Sequence, residues 1–137
     1  MKLIDLTTNE ELLLPNDLLW SDEFEWSPVT ANNSYTLTGA LVIQQGVRQA
    51  VRPISLKAPE QDMAWVTRAT VQKLRDWSAI AGRQFRLVFE YPADTRQWVV
   101  VFAHADDPIG AEPAKGFPGH AAGDWFRVSL KFIEVPQ

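Results

Sequence analysis

The chain contains no cysteine among its 137 residues. Disulfides, thiolate–zinc sites and cysteine nucleophiles are therefore excluded. Long hydrophobic runs are also missing, because no apolar stretch approaches the ~20 residues that a membrane-crossing helix needs. The segment after Met1 reaches Asp5 where a signal peptide would continue its apolar run, so we expect a soluble protein without a cleavable leader. These absences predict synthesis in the cytoplasm and no membrane partner.

Clusters of basic residues are lacking as well. The chain has 13 Lys and Arg against 17 Asp and Glu, a net charge of −4 and a pI near 5.1. Affinity for nucleic acid comes largely from arrays of Lys and Arg on phosphates, and the basic residues here are scattered. We therefore expect no specific binding of nucleic acid.

What the chain does contain is two-residue alternation of apolar and polar positions. It is clearest in Phe85–Tyr91 and Phe126–Phe132, and such alternation predicts strands with one buried face. One helix is predicted, with Thr67 as its N-cap and Gly82 at its C-terminal end. A length of 137 residues fits one domain, over residues 1–137. The fold class expected is mainly β with one α-helix (α+β).

Two further segments shape the predicted architecture. Tyr35, Leu37, Leu41 and Ile43 would share one face of a long hairpin whose turn is expected at Gln45-Gly46. Residues 104–123 are rich in Ala, Gly and Pro and show no periodicity, which predicts a long loop. Loops of about twenty residues inside a compact domain are commonly functional or disordered.

Candidate catalytic and metal-binding groups are few. His104 with Asp106 and Asp107 has no established ligand spacing, so a solvated acidic turn is the better interpretation. His120 and Asp124 would need Ser129 on a nucleophile elbow, and no Gly-x-Ser-x-Gly motif occurs. We predict no catalytic residue, no metal site and no cofactor.

An acidic cluster near the N-terminus leaves alternatives open. Glu23 and Glu25 would lie on one face of a strand and Phe24 and Trp26 on the other. Together with Asp22, these carboxylates could serve a small glycoside hydrolase, although acids on an edge strand also prevent aggregation. A carbohydrate-binding β-sandwich is a further alternative, in which Trp20, Trp26 or Trp125 would stack on a sugar.

Several segments together resemble one protein family. Ser34–Val42 followed by Arg52–Leu56 is similar to the opening hairpin of distal tail and tail-tip (baseplate) proteins of long-tailed bacteriophages or prophages. The order that follows is also similar: a helix with Val71 and Leu74, the strands Phe85–Leu87 and Val99–His104, and a closing strand Val128–Phe132. The resemblance extends from about residue 20 to the end of the chain.

The resemblance implies a fold and a role. The fold would be a tail-tube-like antiparallel β-sandwich or half-barrel with one flanking helix. The chain would be a non-enzymatic structural subunit of the virion tail, in a homo-oligomeric ring, commonly sixfold, that connects the tube to the tip. Its partners would be copies of itself and other tail proteins of the tube, tip or hub.

The same assembly role assigns candidate residues. The surplus aromatic residues and the 104–123 loop supply those expected at subunit interfaces: Trp20, Phe24, Trp26, Ile109, Phe117, His120 and Trp125. Glu23 and Glu25 would face the lumen of the ring, where their negative charge would let DNA pass without binding.

Overall fold

A computed structural model describes residues 1–27, 29–47, 52–115 and 120–135. Within them the chain forms eleven strands and one α-helix. In chain order these are β1 (Lys2–Asp5), β2 (Glu11–Leu13), β3 (Leu19–Trp20), β4 (Val29–Tyr35), β5 (Leu41–Val47), β6 (Pro53–Lys57), β7 (Trp65–Thr67), α1 (Arg68–Ser78), β8 (Phe85–Val88), β9 (Gln97–Phe102), β10 (Ile109–Pro113) and β11 (Trp125–Glu134). The predicted class is confirmed at this level: mainly β, antiparallel, with one helix.

The long strand β11 is the central strand of the main sheet. The sheet has the order β2-β1-β8-β9-β11-β6-β3, and all described pairings are antiparallel. Strands β9 and β10 pair successively along one flank of β11, joined by a 3-10 turn at His104–Asp106. Strands β6 and β7 pair in the same way along the other flank. The ten-residue strand β11 thus pairs with four shorter strands.

The hydrophobic core lies on one face of this sheet. Residues directly opposite each other on paired strands share a face. The register aligns buried side chains in rows across the strands: Leu3, Leu87 and Trp98; Phe85 and Val100; Leu56 and Leu130; Ile54, Phe132 and Phe102. Alternation in the sequence therefore becomes one continuous apolar surface.

The sheet is strongly curved around this core. Trp20 on β3 contacts Phe89, which directly follows β8, with ring centroids 5.9 Å apart. Four strand spacings of about 4.8 Å separate β8 from β3, so a flat sheet would hold the two backbones roughly 19 Å apart. Two aromatic side chains cannot span that distance. The curvature brings the two halves of the face together.

The helix closes one end of the core. Thr67 is its N-cap, as predicted, and the Thr67 hydroxyl accepts a hydrogen bond from the Thr70 backbone N–H at 3.4 Å. Leu74 and Trp77 are buried, and the Trp77 ring lies 5.1 Å from that of Phe85. The helix ends at Ser78, four residues before Gly82, whose φ of +74° belongs to the following turn.

A buried ion pair ties β1 to the segment before β8. The Asp5 side chain is only 1% exposed and accepts hydrogen bonds from Arg83 at 3.0 and 3.2 Å and from the Thr7 backbone N–H at 2.9 Å. Burial alone would raise the pKa of the Asp5 carboxyl, but these donors outweigh it and hold the pKa below its ordinary value. The charge is therefore retained inside the fold.

Three predicted local structures differ from the observed ones. The hairpin turns at residues 36–40, and Gln45-Gly46 lies within β5. Arg52–Leu56 is therefore not its return strand, because β6 pairs with β11 and β3 in the main sheet. The predicted loop over 104–123 contains β10, which pairs with residues 126–130 of β11. Residues 21–25 form a turn rather than a strand, so Glu23 and Glu25 do not share a strand face.

Candidate assembly surface

Strands β4 and β5 form a ribbon separate from the main sheet. Within the described residues they pair only with each other, from Val29↔Val47 to Tyr35↔Leu41. The turn is well formed, because the Thr36 hydroxyl accepts from the Ala40 N–H at 3.1 Å and Gly39 adopts a φ of +85°. Only glycine takes that conformation readily. We call residues 29–47 the ribbon.

The two faces of the ribbon differ in polarity. Val29, Ala31, Tyr35, Leu41 and Ile43 lie on one face by register, together with the polar Asn33 opposite Ile43, and all six are exposed. Tyr35, Leu41 and Ile43 share a face as predicted, but on the two strands of the ribbon rather than along one strand, and the fully exposed Leu37 is in the turn. Ser34, Val42 and Gln44 lie on the opposite face. The ribbon presents a mainly apolar face to solvent.

The ribbon also carries no charge. Residues 29–47 contain no Asp, Glu, Lys, Arg or His, although a segment of this length would carry about four charged residues at the chain's average of 22%. Exposed strand edges in monomeric proteins are commonly protected by charged side chains. This signal is present in the sequence, and a scan for uncharged segments would have found it.

Near the base of the ribbon, two arginines pack against tryptophans. The Arg52 guanidinium lies 4.4 Å from the Trp20 ring and 5.9 Å from that of Trp26. Arg96 lies 5.0 Å from the ring of Trp98 and 5.6 Å from that of Trp20. Such cation–π contacts are worth about 0.5–2 kcal/mol each. Spacing in the sequence gives no indication of this cluster.

The same arginines contact the turn at residues 21–25, here called the acidic turn. Arg96 forms ion pairs with Asp94 at 2.8 Å and with Glu23 at 3.0 Å, and Arg52 donates to the Glu23 carbonyl oxygen. The hydrogen bonds from Arg96 lower the pKa of the Asp94 carboxyl. Asp22 accepts from the Ser55 N–H at 2.9 Å. Glu23 and Asp22 thus have structural partners.

Beside this cluster lies an apolar depression, here called the aromatic groove. Its volume is about 400 Å³, and it is lined mainly by Leu18, Leu19, Trp20, Phe24, Phe89 and Tyr91. Phe24 is 91% exposed and Leu19 is also exposed. The Tyr91 hydroxyl donates to the Asn16 carbonyl at 2.6 Å. Burial is the main cause that raises the pKa of Tyr91.

A second depression, the polar groove, lies between the start of the β6–β7 connection and strands β10 and β11. Its volume is about 550 Å³, and its lining includes Gln61, Glu112, Arg127 and Ser129. Arg127 pairs with Glu112 and donates to the Gln61 carbonyl at 3.1 Å. Arg127 and Glu112 thus neutralise each other, and Lys57 and Glu60 add one charge of each sign to the lining.

The residues predicted at subunit interfaces occupy different environments. Trp20 is buried beneath Arg52, Trp26 is half-buried beside it, and Ile109 packs against the core. Phe24, His120 and Trp125 are exposed. Phe117 lies outside the described residues. Phe24 and Trp20 meet in the aromatic groove, and Trp125 lies on β11 away from it.

The remaining predicted groups give no further cluster. Glu25 is exposed in the turn, and His104 follows β9 on the surface. In the described ranges, no group of three or more His, Asp or Glu side chains could hold a metal ion. Nor does the described part of the chain hold a helix with the length and apolarity that a membrane crossing requires.

Comparison with known proteins gives no family assignment. No protein-family model, no curated protein and no solved structure matches this chain.

Proposed function

We infer that the chain is a non-enzymatic structural subunit of the distal end of a bacteriophage or prophage tail, and that it forms a ring with copies of itself. The order of the helix, strands β8 and β9 and the closing strand β11 is the part of the resemblance that supports the tail assignment, because β5 and β6 do not form a hairpin with each other. The curved antiparallel sheet with one helix at its end supports a tail-tube-like half-barrel. The ribbon supports assembly.

The uncovered apolar face of the ribbon is the observation that carries the proposal. An isolated two-stranded hairpin is at best marginally stable in water. This ribbon exposes Tyr35, Leu41 and Ile43 on one face and leaves both outer backbone edges unpaired among the described residues. Burial of such a surface stabilises a protein by about 25 cal/mol per Å² of apolar area. A partner that covers the ribbon would supply that burial.

Charge favours another copy of the chain as this partner. Each copy has a formal net charge of −4, and all of its charged residues lie outside the ribbon. Like charges brought together across an interface oppose association. The ribbon lets identical copies meet without that repulsion. A closed symmetric ring would also pair the strand edges that a single copy leaves open.

In such a ring the acidic turn is a candidate for the lumen. Glu25 is exposed and Glu23 is paired with Arg96, so Glu25 is the better candidate for direct contact with the channel. A negative lumen would let DNA pass without binding. The tube, tip or hub proteins of the tail would contact the two ends of the ring.

Electron microscopy tests this function directly. Purified protein viewed in negative stain should show closed rings. Gold-labelled antibodies against the chain should bind one end of tails on particles released from the bacterium that encodes it. Label on capsids, or intact tailed particles without any label at all, would contradict the assignment to the tail end.

A second candidate function is carbohydrate binding on the outer face of the sheet. Trp65 and Trp125 are both exposed and lie on the same face: Trp65 is directly opposite Arg127 on β7, and Trp125 is two residues before Arg127 on β11. Arg127 itself lines the polar groove. Aromatic rings near hydrogen-bonding side chains can stack on sugars. Binding of a monomeric form to a glycan array, lost in Trp125→Ala and retained in Leu13→Ala on distant β2, would favour this function.

A further inference from the structure

The fold contains an exposed apolar projection, the ribbon tip at residues 35–41, and an exposed apolar recess, the aromatic groove. We propose that the ribbon tip of one copy, with Leu37 as the knob, docks into the aromatic groove of the next copy. This inference rests on the proposed assembly of the chain and names the two surfaces that meet. It predicts a head-to-tail contact in which each copy contributes a tip and receives one.

The chemistry of the two surfaces is matched. The groove is lined mainly by leucine and aromatic side chains, and Leu19 and Phe24 in it are exposed. The tip presents Tyr35 and Leu37, which are exposed as well. A groove of about 400 Å³ has room for more than one such side chain. Contact would remove apolar area from water on both sides.

Charge at the groove is consistent with an uncharged occupant. Glu23 is the charged residue among those that line it, and its carboxylate is already paired with Arg96 at 3.0 Å. A charged ligand would thus find no free counter-charge on the lining. The ribbon has no charged residue from 29 to 47, so it needs no counter-charge in the groove.

The positions of the tip and the groove along the chain favour a contact between different copies. The groove includes Phe24, five residues before the ribbon begins at Val29, so it lies near the ribbon's base. A seven-residue strand extends about 23 Å at ~3.3 Å per residue. An antiparallel ribbon of that length points its tip away from its own base. The contact is therefore heterologous, which produces a ring if the rotation closes.

Site-directed cross-linking tests the contact, and the absence of native cysteine removes background. Leu37→Cys and Leu19→Cys would be purified separately, mixed, and treated with a short bismaleimide. We expect cross-linked dimers in the mixture and little in either variant alone. Leu13→Cys, an exposed leucine on β2, is the matched control and should give at least tenfold less product with Leu37→Cys.

A pair of variants with complementary introduced charges provides a second readout. Leu37→Glu and Leu19→Lys should each weaken self-association at least tenfold, and the double variant should recover most of it. Folding of each variant is checked by circular dichroism. Because both side chains are exposed, we expect the monomer fold to survive.

The possible outcomes separate this inference from the proposed function. A discrete oligomer in which Leu19→Cys still reacts freely with maleimide would overturn the docking and leave ring assembly standing. Strong cross-linking of Leu37→Cys alone would show tip-to-tip contact and would also overturn it. A chain that stays monomeric at every concentration would contradict both.

Discussion

A charge on the apolar face of the ribbon should break assembly without affecting folding. Ile43 and Gln44 are neighbours on opposite faces of β5, so Ile43→Asp and Gln44→Asp place the same charge at nearly the same position. Ile43 is 54% exposed in a single copy. We expect Ile43→Asp to lower the affinity between copies and Gln44→Asp to have little effect.

The magnitude follows from burial. Full burial of an isoleucine side chain stabilises by about 1.5–3 kcal/mol, so covering the exposed half of Ile43 contributes roughly 1 kcal/mol. A carboxylate in its place must also lose water at an apolar contact, which costs several kcal/mol. A combined loss of at least about 3 kcal/mol per contact corresponds to association that is weaker by at least about a hundredfold.

Sedimentation velocity over a concentration series measures this effect. Thermal unfolding of both variants under monomeric conditions should match the parent, because exposed substitutions typically change stability by less than about 0.5 kcal/mol. Equal association constants for Ile43→Asp and Gln44→Asp would refute the assignment of the apolar face to an interface.

Three predictions concern the fold that holds the ribbon. Asp5→Ala should lower the free energy of unfolding in urea by about 3 kcal/mol, because it leaves a largely buried Arg83 guanidinium without its carboxylate partner. Folding lowers the pKa of Asp5, so the stability that the ion pair contributes is present above about pH 4 and is lost as pH falls through the folded pKa. The difference in unfolding free energy between parent and variant should therefore narrow at acidic pH. A difference that stays constant with pH would contradict this. Leu74→Ala should cost about 2–5 kcal/mol by leaving a cavity under the helix, and an unchanged melting temperature would argue against that packing. A Cβ on Gly110 would lie 2.4 Å from the Ser129 Oγ, which rotation about χ1 can move away, so Gly110→Ala should destabilise the chain by at most about 1 kcal/mol and Ser129→Ala should remove that loss, whereas a loss that Ser129→Ala does not change would show that the strain lies elsewhere.

Local signals in the sequence predicted the elements that depend on local physics. The Thr67 cap and the alternation in Phe126–Phe132 both correspond to observed structure, because a cap and a half-buried strand depend on near neighbours. The strand β10 was missed because its composition resembles a loop. Its pairing is with residues 126–130 of β11, and a pairing between segments that far apart in sequence leaves no local signal.

The candidate surface was only partly predictable for the same reason. The acidic turn was expected to be a strand, but Glu23 is held by Arg96, which lies 73 residues away. The hairpin turn was expected at Gln45-Gly46, whereas Gly39 supplies the positive φ and Thr36 the stabilising hydroxyl. Which apolar residues remain uncovered depends on the register of β4 with β5 and on the absence of a third strand beside them among the described residues.

The mass of the purified chain in solution tests the central claim most directly. Multi-angle light scattering at rising concentration should show a discrete oligomer, whose mass is a whole multiple of 15.5 kDa and stops increasing once the ring closes. A mass that remains at 15.5 kDa up to the highest attainable concentration, with the ribbon exposed throughout, would contradict it.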